Sequence, residues 1–397
     1  MMVKSAWPLS ESELARVTAE IATARGLPNA AYTHAQAYLT DRDAVMGKTW
    51  AGLLFADAVP ERAYALPIEF MGLPLLVTRD RAGVLRVFHN VCSHRGVKLV
   101  DVPQEVNGLI TCRYHAWSYA CSGDLKATPC IGGVGQNSVA GFEASLHGLK
   151  PVRCAIFMGI VFINLSGDAP EFDRHMAPLM QRASRLMGAE GFRELTPGRT
   201  DSQLVLTVHC NWKLAVENYC EAYHLPWVHP ELNSYSPLAE HYCFVDAQDF
   251  SGQGSSCYRL SEVAGTRLPR LPAWPVDRLQ VAEYPALYPN VLLGFQADHA
   301  FAIILTPLGV DKTREELRIY YVGAGAESDA FKASRVATHA AWETVFAQDV
   351  DVVERMQLGR ASPGYSGGVF SPVLDKPTHH FHCWVAKQLK QSLTAAQ

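Results

Sequence analysis

Two Cys-His pairs a short distance apart constrain this chain more than anything else in its sequence. In CSHRGVKLVDVPQEVNGLITCRYHAW, residues 92–117, one residue separates Cys92 from His94 and two separate Cys112 from His115, with seventeen residues between the pairs. A zinc site of two Cys and two His usually pairs like with like, as C-x2–4-C and H-x3–5-H. Here each short loop brings one thiol and one imidazole. That distribution suits a two-iron cluster in which one iron takes two thiolates and the other two imidazoles, because each loop then serves both irons. Neutral imidazoles in place of two thiolates remove negative charge and raise the reduction potential, so such a cluster accepts an electron readily. The rival is an ordinary β-domain whose Cys and His are core or surface residues, but four ligand types rarely meet at this spacing by chance.

The surrounding chain reads as β-structure. From about Val45 to Leu165 short apolar runs alternate with turn signals. PLLVTRD-RAG-VLRVFHNV predicts a hairpin, LITCRYHAWSYACSGDL a strand pair turning at Ser122-Gly123, and AIFMGIVFINL (Ala155 to Leu165) a further buried strand, too short to span a bilayer. Helical spacing marks about Ser10 to Arg25, with Ser10 as cap, and Pro170 to Met187; a strand SQLVLTVHCNWKL, a helix from about Lys213 to His224 ended by Pro226, strands NVLLGFQ, AFAIILTPLG and ELRIYYVGAG, and a long helix from about Asp329 to Met356 follow. At 397 residues two domains are expected. The expectation is an α+β chain: residues 1–45 a helical segment of the larger domain, 46–165 a small all-β domain inserted into it, and 166–397 an antiparallel sheet around a long C-terminal helix. A net charge of −4 offers nothing to nucleic acid or an anionic membrane. The start, MMVKSAWPLSESELARV, lacks a sustained apolar stretch, and ten scattered cysteines fit reduced thiols, so a cytoplasmic protein is expected.

A second metal follows from spacing. NWKLAVENYCEAYHLPWVHP (residues 211–230) carries Glu217, Glu221, His224 and His229. On a continuous helix Glu217, Glu221 and His224 share one face, and the break at Pro226 lets His229 fold back toward His224. H-x4-H differs from the H-E-x-x-H of zinc proteases. Two imidazoles with one carboxylate would make a facial triad with open positions for O2. In AAWETVFAQDVDVVERMQ, Asp349 falls within the apolar stripe of Trp342, Val345, Phe346, Val352, Val353 and Met356, whereas Asp351 and Glu354 lie nearer the polar face with Gln348 and Arg355. A carboxylate on a buried face needs a partner. A buried acid bonded to backbone or Arg explains Asp349 as well as a metal does when it is taken alone; the two upstream histidines favour the metal. The HHFH run of His379, His380 and His382 reads as alternation in a terminal strand.

C-x-H-x17-C-x2-H, with Arg95-Gly96 after the first pair and Tyr114 and Trp117 around the second, resembles the Rieske domain of non-haem iron oxygenases. N-W-K followed by E-N, an acidic residue three positions before a His, a second His, and a late Asp ahead of Gln357-x-Gly359 resemble the catalytic domain of their α-subunits, a helix-grip fold. The resemblance spans nearly the whole chain. It implies an oxidoreductase, a mono- or dioxygenase, with Cys92, His94, Cys112 and His115 holding one [2Fe–2S] cluster and His224, His229 and Asp349 holding one mononuclear Fe(II). O2 is the co-substrate, and NAD(P)H supplies electrons through a separate flavin- or ferredoxin-type reductase. Glu221 is implied as the bridge that passes electrons from the cluster of a neighbouring subunit to a ligand His, which calls for a homotrimer. ENYCEAYH and the ending GYSGGVF…HHFHCWV are similar to the quaternary-ammonium subgroup, the carnitine, glycine betaine and stachydrine oxygenases. An N-methylated substrate would want aromatic faces, for which Tyr219, Trp227 and Tyr235 are candidates. Two rivals stand beside this reading: an aromatic ring-hydroxylating dioxygenase, which often pairs with a β-subunit, and an electron carrier without the second iron.

Overall fold

The computed structural model describes residues 9–260 and 262–395, so the first eight residues of the N-terminal stretch read above lie outside the described residues. The chain divides into two compact units, Leu53–Asp168 and Met1–Gly52 with Ala169–Gln397.

The smaller unit is all-β. Strands β1 (Ala51–Phe55), β2 (Tyr64–Phe70), β3 (Leu73–Arg79), β4 (Leu85–His89), β5 (Gln104–Glu105), β6 (Ile110–Thr111), β7 (Ser118–Tyr119), β8 (Leu125–Ala127), β9 (Pro151–Phe157) and β10 (Ile160–Asn164) form it. Seven make one sheet in the order β1-β10-β9-β4-β3-β2-β5, and β6-β7-β8 make a second. The expected β3–β4 hairpin is present, as is the turn at Ser122-Gly123 between β7 and β8. AIFMGIVFINL is not one strand: Met158 and Gly159, both at positive φ, turn it into the β9–β10 hairpin. A run of apolar residues hides such a turn because Met gives no turn signal. Cys92 and Cys112 belong to this unit's core with Leu76, Phe88, Trp117 and Tyr119.

In the larger unit α1 (Glu11–Val17) starts at Ser10, whose hydroxyl and Glu13 form a capping box; it is shorter than the expected helix. Next come α2 (Ala30–Thr33), α3 (Ala35–Thr40), a π-helix (Asp41–Met46), α4 (Phe172–Met187) and strands β11 (Leu195–Pro197) and β12 (Gln203–Val208). The metal segment comprises α5 (Trp212–Tyr219), α6 (Leu225–Val228) and α7 (Pro230–Tyr235). β13 (His241–Phe244), β14 (Phe250–Ser255), the small pair β15 (Glu262–Val263) and β16 (Thr266–Arg267), β17 (Ala282–Leu287), β18 (Val291–Phe295), β19 (His299–Gly309) and β20 (Lys312–Val322) follow, then α8 (Lys332–Arg360) and α9 (Lys376–Ala395). An antiparallel sheet runs β11-β20-β19-β18-β17-β14-β13, with β12 also on β20.

Two helical expectations are corrected. The helix begun at Lys213 stops at Tyr219, so Glu217, Glu221 and His224 do not share a face. Pro226 opens α6 rather than ending α5, as a proline in the first turn lacks only an N–H that would be unpaired anyway. The HHFH run lies in α9, not in a strand. Asp375-Lys376-Pro377 is its start signal: Pro377 sits in the first turn and the His379 N–H donates to the Asp375 carbonyl at 2.8 Å.

Candidate metal centres

In the smaller unit the two Cys-His loops are built alike despite their unequal spacing. The Cys92 N–H donates to the Val97 carbonyl and the Cys112 N–H to the Trp117 carbonyl, both at 2.8 Å; Gly96 and Ala116 each return an N–H to the cysteine carbonyl at 3.0 Å. Each loop needs a left-handed residue four places after its cysteine, supplied by Gly96 (φ 71°) and Ala116 (φ 57°). Both thiols are buried while both imidazoles are exposed. The His94 and His115 rings lie 4.6 Å apart, and Trp117 stacks on His94 at 4.7 Å. The Tyr119 hydroxyl sits 3.2 Å from the Cys92 sulfur and also meets the Ser93 side chain at 2.9 Å and its N–H at 3.1 Å. Thiols inside, imidazoles outside and the Tyr119 hydroxyl beside the Cys92 sulfur fit a two-iron cluster whose imidazole-bound end faces outward.

In the larger unit His224, His229 and Asp349 converge, each offering a ligand atom within 4.8 Å of the others. Asp349 Oδ1 lies 3.0 Å from His229 Nε2 and 3.7 Å from His224 Nε2. The other ring nitrogens are engaged: His224 Nδ1 with Glu221 Oε1 at 2.6 Å, and His229 Nδ1 with Gln348 Oε1 at 2.8 Å. Each Nδ1–H donates to an oxygen, which leaves both Nε2 lone pairs facing the carboxylate. That tautomer pattern is what a divalent metal requires of its ligands. Burial disfavours a charged His224 ring, but the hydrogen bond and charge of Glu221, with Asp349, outweigh it and raise its pKa. Glu221 also accepts the backbone N–H groups of Tyr223 and His224, which fixes the turn between α5 and α6.

Three ties hold this arrangement against α8. Glu354 Oε1 accepts the His209 N–H at 2.8 Å and Gln357 Oε1 accepts the Asn211 N–H at 3.0 Å. Arg360 meets the Glu217 carboxylate at 3.1 Å, and Tyr32 and His382 complete the cluster. Burial alone would raise the Glu217 pKa, yet the charges of His382 and Arg360, with hydrogen bonds from His382 and Tyr32, bring it down to about 2. Glu217 is thus a framework residue turned away from the metal ligands. Gln348, assigned to the polar face of α8, instead bonds His229. Position 348 precedes Asp349 by one residue, and helical periodicity alone does not show that His229 reaches it from outside the helix.

A cavity opens on these three residues, walled by Tyr219, Tyr284, Trp342 and Phe346 together with Ser236, His241 and Gln253. Of the candidate pocket aromatics only Tyr219 lines it, its hydroxyl donating to the Leu293 carbonyl at 2.5 Å. Trp227 is 72% exposed, and Tyr235, with Arg259 over its ring, faces a different hollow. Tyr284, Trp342 and Phe346 were missed as pocket residues; Trp342 and Phe346 stand on the same apolar stripe as Asp349, two turns and one turn before it. Asp349 also borders a second, mainly apolar cavity where burial, and then the charge of Asp349, push Glu315 up to about 7.

Known families match the two segments that carry these residues. Residues 49–142 match the Rieske [2Fe-2S] domain, and residues 194–391 match the ring hydroxylating alpha subunit (catalytic domain). The chloroplastic choline monooxygenase of Arabidopsis thaliana is 29% identical over 371 residues, covering 91% of this chain and 82% of that protein. The carnitine monooxygenase oxygenase subunit of Escherichia coli (strain K12) is 24% identical over 378 residues, 92% of this chain and 94% of that one. Among solved structures, the quaternary ammonium Rieske monooxygenase CntA in complex with L-carnitine superposes with a TM-score of 0.72 at 20% identity, covering 96% of this chain and 99% of that one. Naphthalene 1,2-dioxygenase from Rhodococcus sp. shares the fold with a TM-score of 0.68 at 17% identity, covering 97% and 98%.

Proposed function

Since the chain belongs to the Rieske non-haem iron oxygenases, as the catalytic α-subunit, we propose that it hydroxylates a small N-methylated ammonium compound. The enzyme is an oxidoreductase that uses a [2Fe–2S] cluster, a mononuclear Fe(II), O2 and NAD(P)H-derived electrons delivered by a reductase. Its irons supply single-electron storage and O2 activation. The observation that carries the substrate reading is the aromatic wall of Tyr219, Tyr284, Trp342 and Phe346 in the cavity that opens on His224, His229 and Asp349. Aromatic faces attract an alkylammonium ion and exclude water from it. Relatives named for choline, carnitine and glycine betaine support that class over an aromatic ring.

In this reading Cys92, His94, Cys112 and His115 hold the cluster in the domain of residues 46–165, and His224, His229 and Asp349 hold the Fe(II) in that of residues 166–397. Glu221 and Gln348 fix the tautomers of His224 and His229, and Glu221 also accepts the ring N–H of a cluster ligand from a neighbouring subunit of a homotrimer. No helix among the described residues is long and apolar enough to cross a membrane; a cytoplasmic location is part of this reading. The balance is R–H + O2 + 2 electrons + 2 H+ giving R–OH + H2O. Hydroxylation on an N-methyl carbon leaves a hemiaminal that releases formaldehyde, so N-demethylation is one outcome and C–N cleavage within the chain another.

The test is purified enzyme with a generic reductase and NAD(P)H against N-methylated ammonium compounds and aromatic acids, following O2 uptake coupled to product. Coupled product from the ammonium set is expected; product only from aromatic acids overturns the substrate reading. In Glu221→Ala, assayed with Fe(II) in excess to offset the lost hydrogen bond to His224, both metals should be bound while product formation collapses. Full turnover would remove Glu221 from the electron path.

A further inference from the structure

The wall of the metal cavity that carries polar groups is uncharged. Among the described residues that line this cavity none is Lys or Arg; the only formal charges are the acids Glu221 and Asp349. The polar groups come from β13, β14 and the end of α7: Ser236, His241 and Gln253. They form a connected network. His241 Nδ1 lies 2.7 Å from Gln253 Oε1, while its Nε2 lies 3.0 Å from the Ser236 hydroxyl and 3.2 Å from the Ser236 carbonyl oxygen. A single ring N–H goes to the closer acceptor, the Gln253 amide oxygen. Nε2 then accepts from the Ser236 hydroxyl, and Ser236 in turn accepts from Ser255 at 2.7 Å. Ser255 itself accepts the Cys257 N–H at 3.2 Å, which leaves its own hydrogen to start the chain.

At the far end stands the Gln253 amide nitrogen, which has no hydrogen-bond partner among the described residues although the residue is 8% exposed. An NH2 group on a cavity wall with no protein acceptor is free to donate to a ligand oxygen. Gln253 lies directly across from Tyr284 in the β14–β17 register, so donor and aromatic face are neighbours on one stretch of sheet. A carboxylate placed against this wall would lose its hydration with no cationic side chain to replace it, whereas an uncharged oxygen loses far less.

We propose that this cavity selects an alkylammonium ion carrying an uncharged oxygen, a hydroxyl or carbonyl, over one carrying a carboxylate, and that Gln253 is the residue that reads that oxygen. The inference rests on the ammonium reading of the site and narrows it.

Three probes of equal head group separate the possibilities: choline, glycine betaine and ethyltrimethylammonium. Their affinities are measured by calorimetry on the iron-loaded holoenzyme under anaerobic conditions. Choline is expected to bind at least about tenfold more tightly than glycine betaine, and roughly tenfold more tightly than ethyltrimethylammonium, the increment of one hydrogen bond to a buried donor. In Gln253→Leu the choline advantage over ethyltrimethylammonium should fall to near parity, while ethyltrimethylammonium itself binds as before. Glycine betaine binding as well as choline in the unaltered enzyme overturns the selection, whatever the variant does. Equal losses for choline and ethyltrimethylammonium in Gln253→Leu overturn the role of Gln253. If none of the three binds, the ammonium reading falls and this inference with it.

Discussion

Gln348 and Asp349 are adjacent in sequence and serve the same imidazole from two sides. Asp349 approaches His229 Nε2 and Gln348 takes the Nδ1–H. Removing the Gln348 oxygen frees that N–H and lets the ring turn. Gln348→Leu is therefore expected to weaken metal affinity about 10- to 100-fold, measured by competition against a chelator. Unchanged affinity would show that packing alone holds the ring. Ala116 makes a second point at the same scale. Gly96 shows why a left-handed residue must follow the first Cys-His pair, and by loop equivalence Ala116 accepts the same conformation without glycine's freedom. The Cys and His of both loops were legible because ligand chemistry restricts residue type. Gln348 and Ala116 were not, because their roles come from partners far along the chain and from backbone shape.

Among the elements, the contact of α5 with α8 sets the metal geometry. Its innermost tie, Arg360 to Glu217, is buried on both sides and flanked by the Tyr32 and Tyr365 rings at 4.4 and 4.6 Å from the guanidinium. Arg360→Met keeps much of the packing and strips Glu217 of a counter-charge, so it should destabilise the protein by roughly 3 kcal/mol at neutral pH, read from urea unfolding. The sign of the pH dependence follows from Glu217, held at about 2 against an ordinary 4.5. Its stabilisation is complete above the ordinary value and is lost as pH falls toward 2. The difference between Arg360→Met and the unaltered protein should therefore narrow as pH falls from about 5. A constant difference would mean that Arg360 acts through packing alone. Helical periodicity found α8, though it stopped short of Arg360, and set Asp349 on the inward side, where it is half-buried. The same periodicity ran α5 through to His224, because apolar spacing continues past Tyr219 while Glu221 turns the backbone by taking two N–H groups.

At the scale of the whole molecule, a catalytic chain with both centres filled holds three irons, two in the cluster and one at His224, His229 and Asp349. Iron analysis should return about three per chain, and Asp349→Ala about two with the visible spectrum of the cluster intact; two in the unaltered protein would leave an electron carrier. If Glu221 serves a neighbouring subunit, light scattering should give the mass of three chains. The sequence by itself determined the β character of the smaller unit, the candidate ligand types and the antiparallel sheet, since these rest on residue chemistry and on short-range periodicity. Only the tertiary structure decided that Glu217 belongs to the framework, that Gln348 orients a ligand, and that Tyr284, Trp342 and Gln253 face the ligands across one cavity. Those facts depend on contacts between residues more than a hundred positions apart in most cases, which no local pattern encodes.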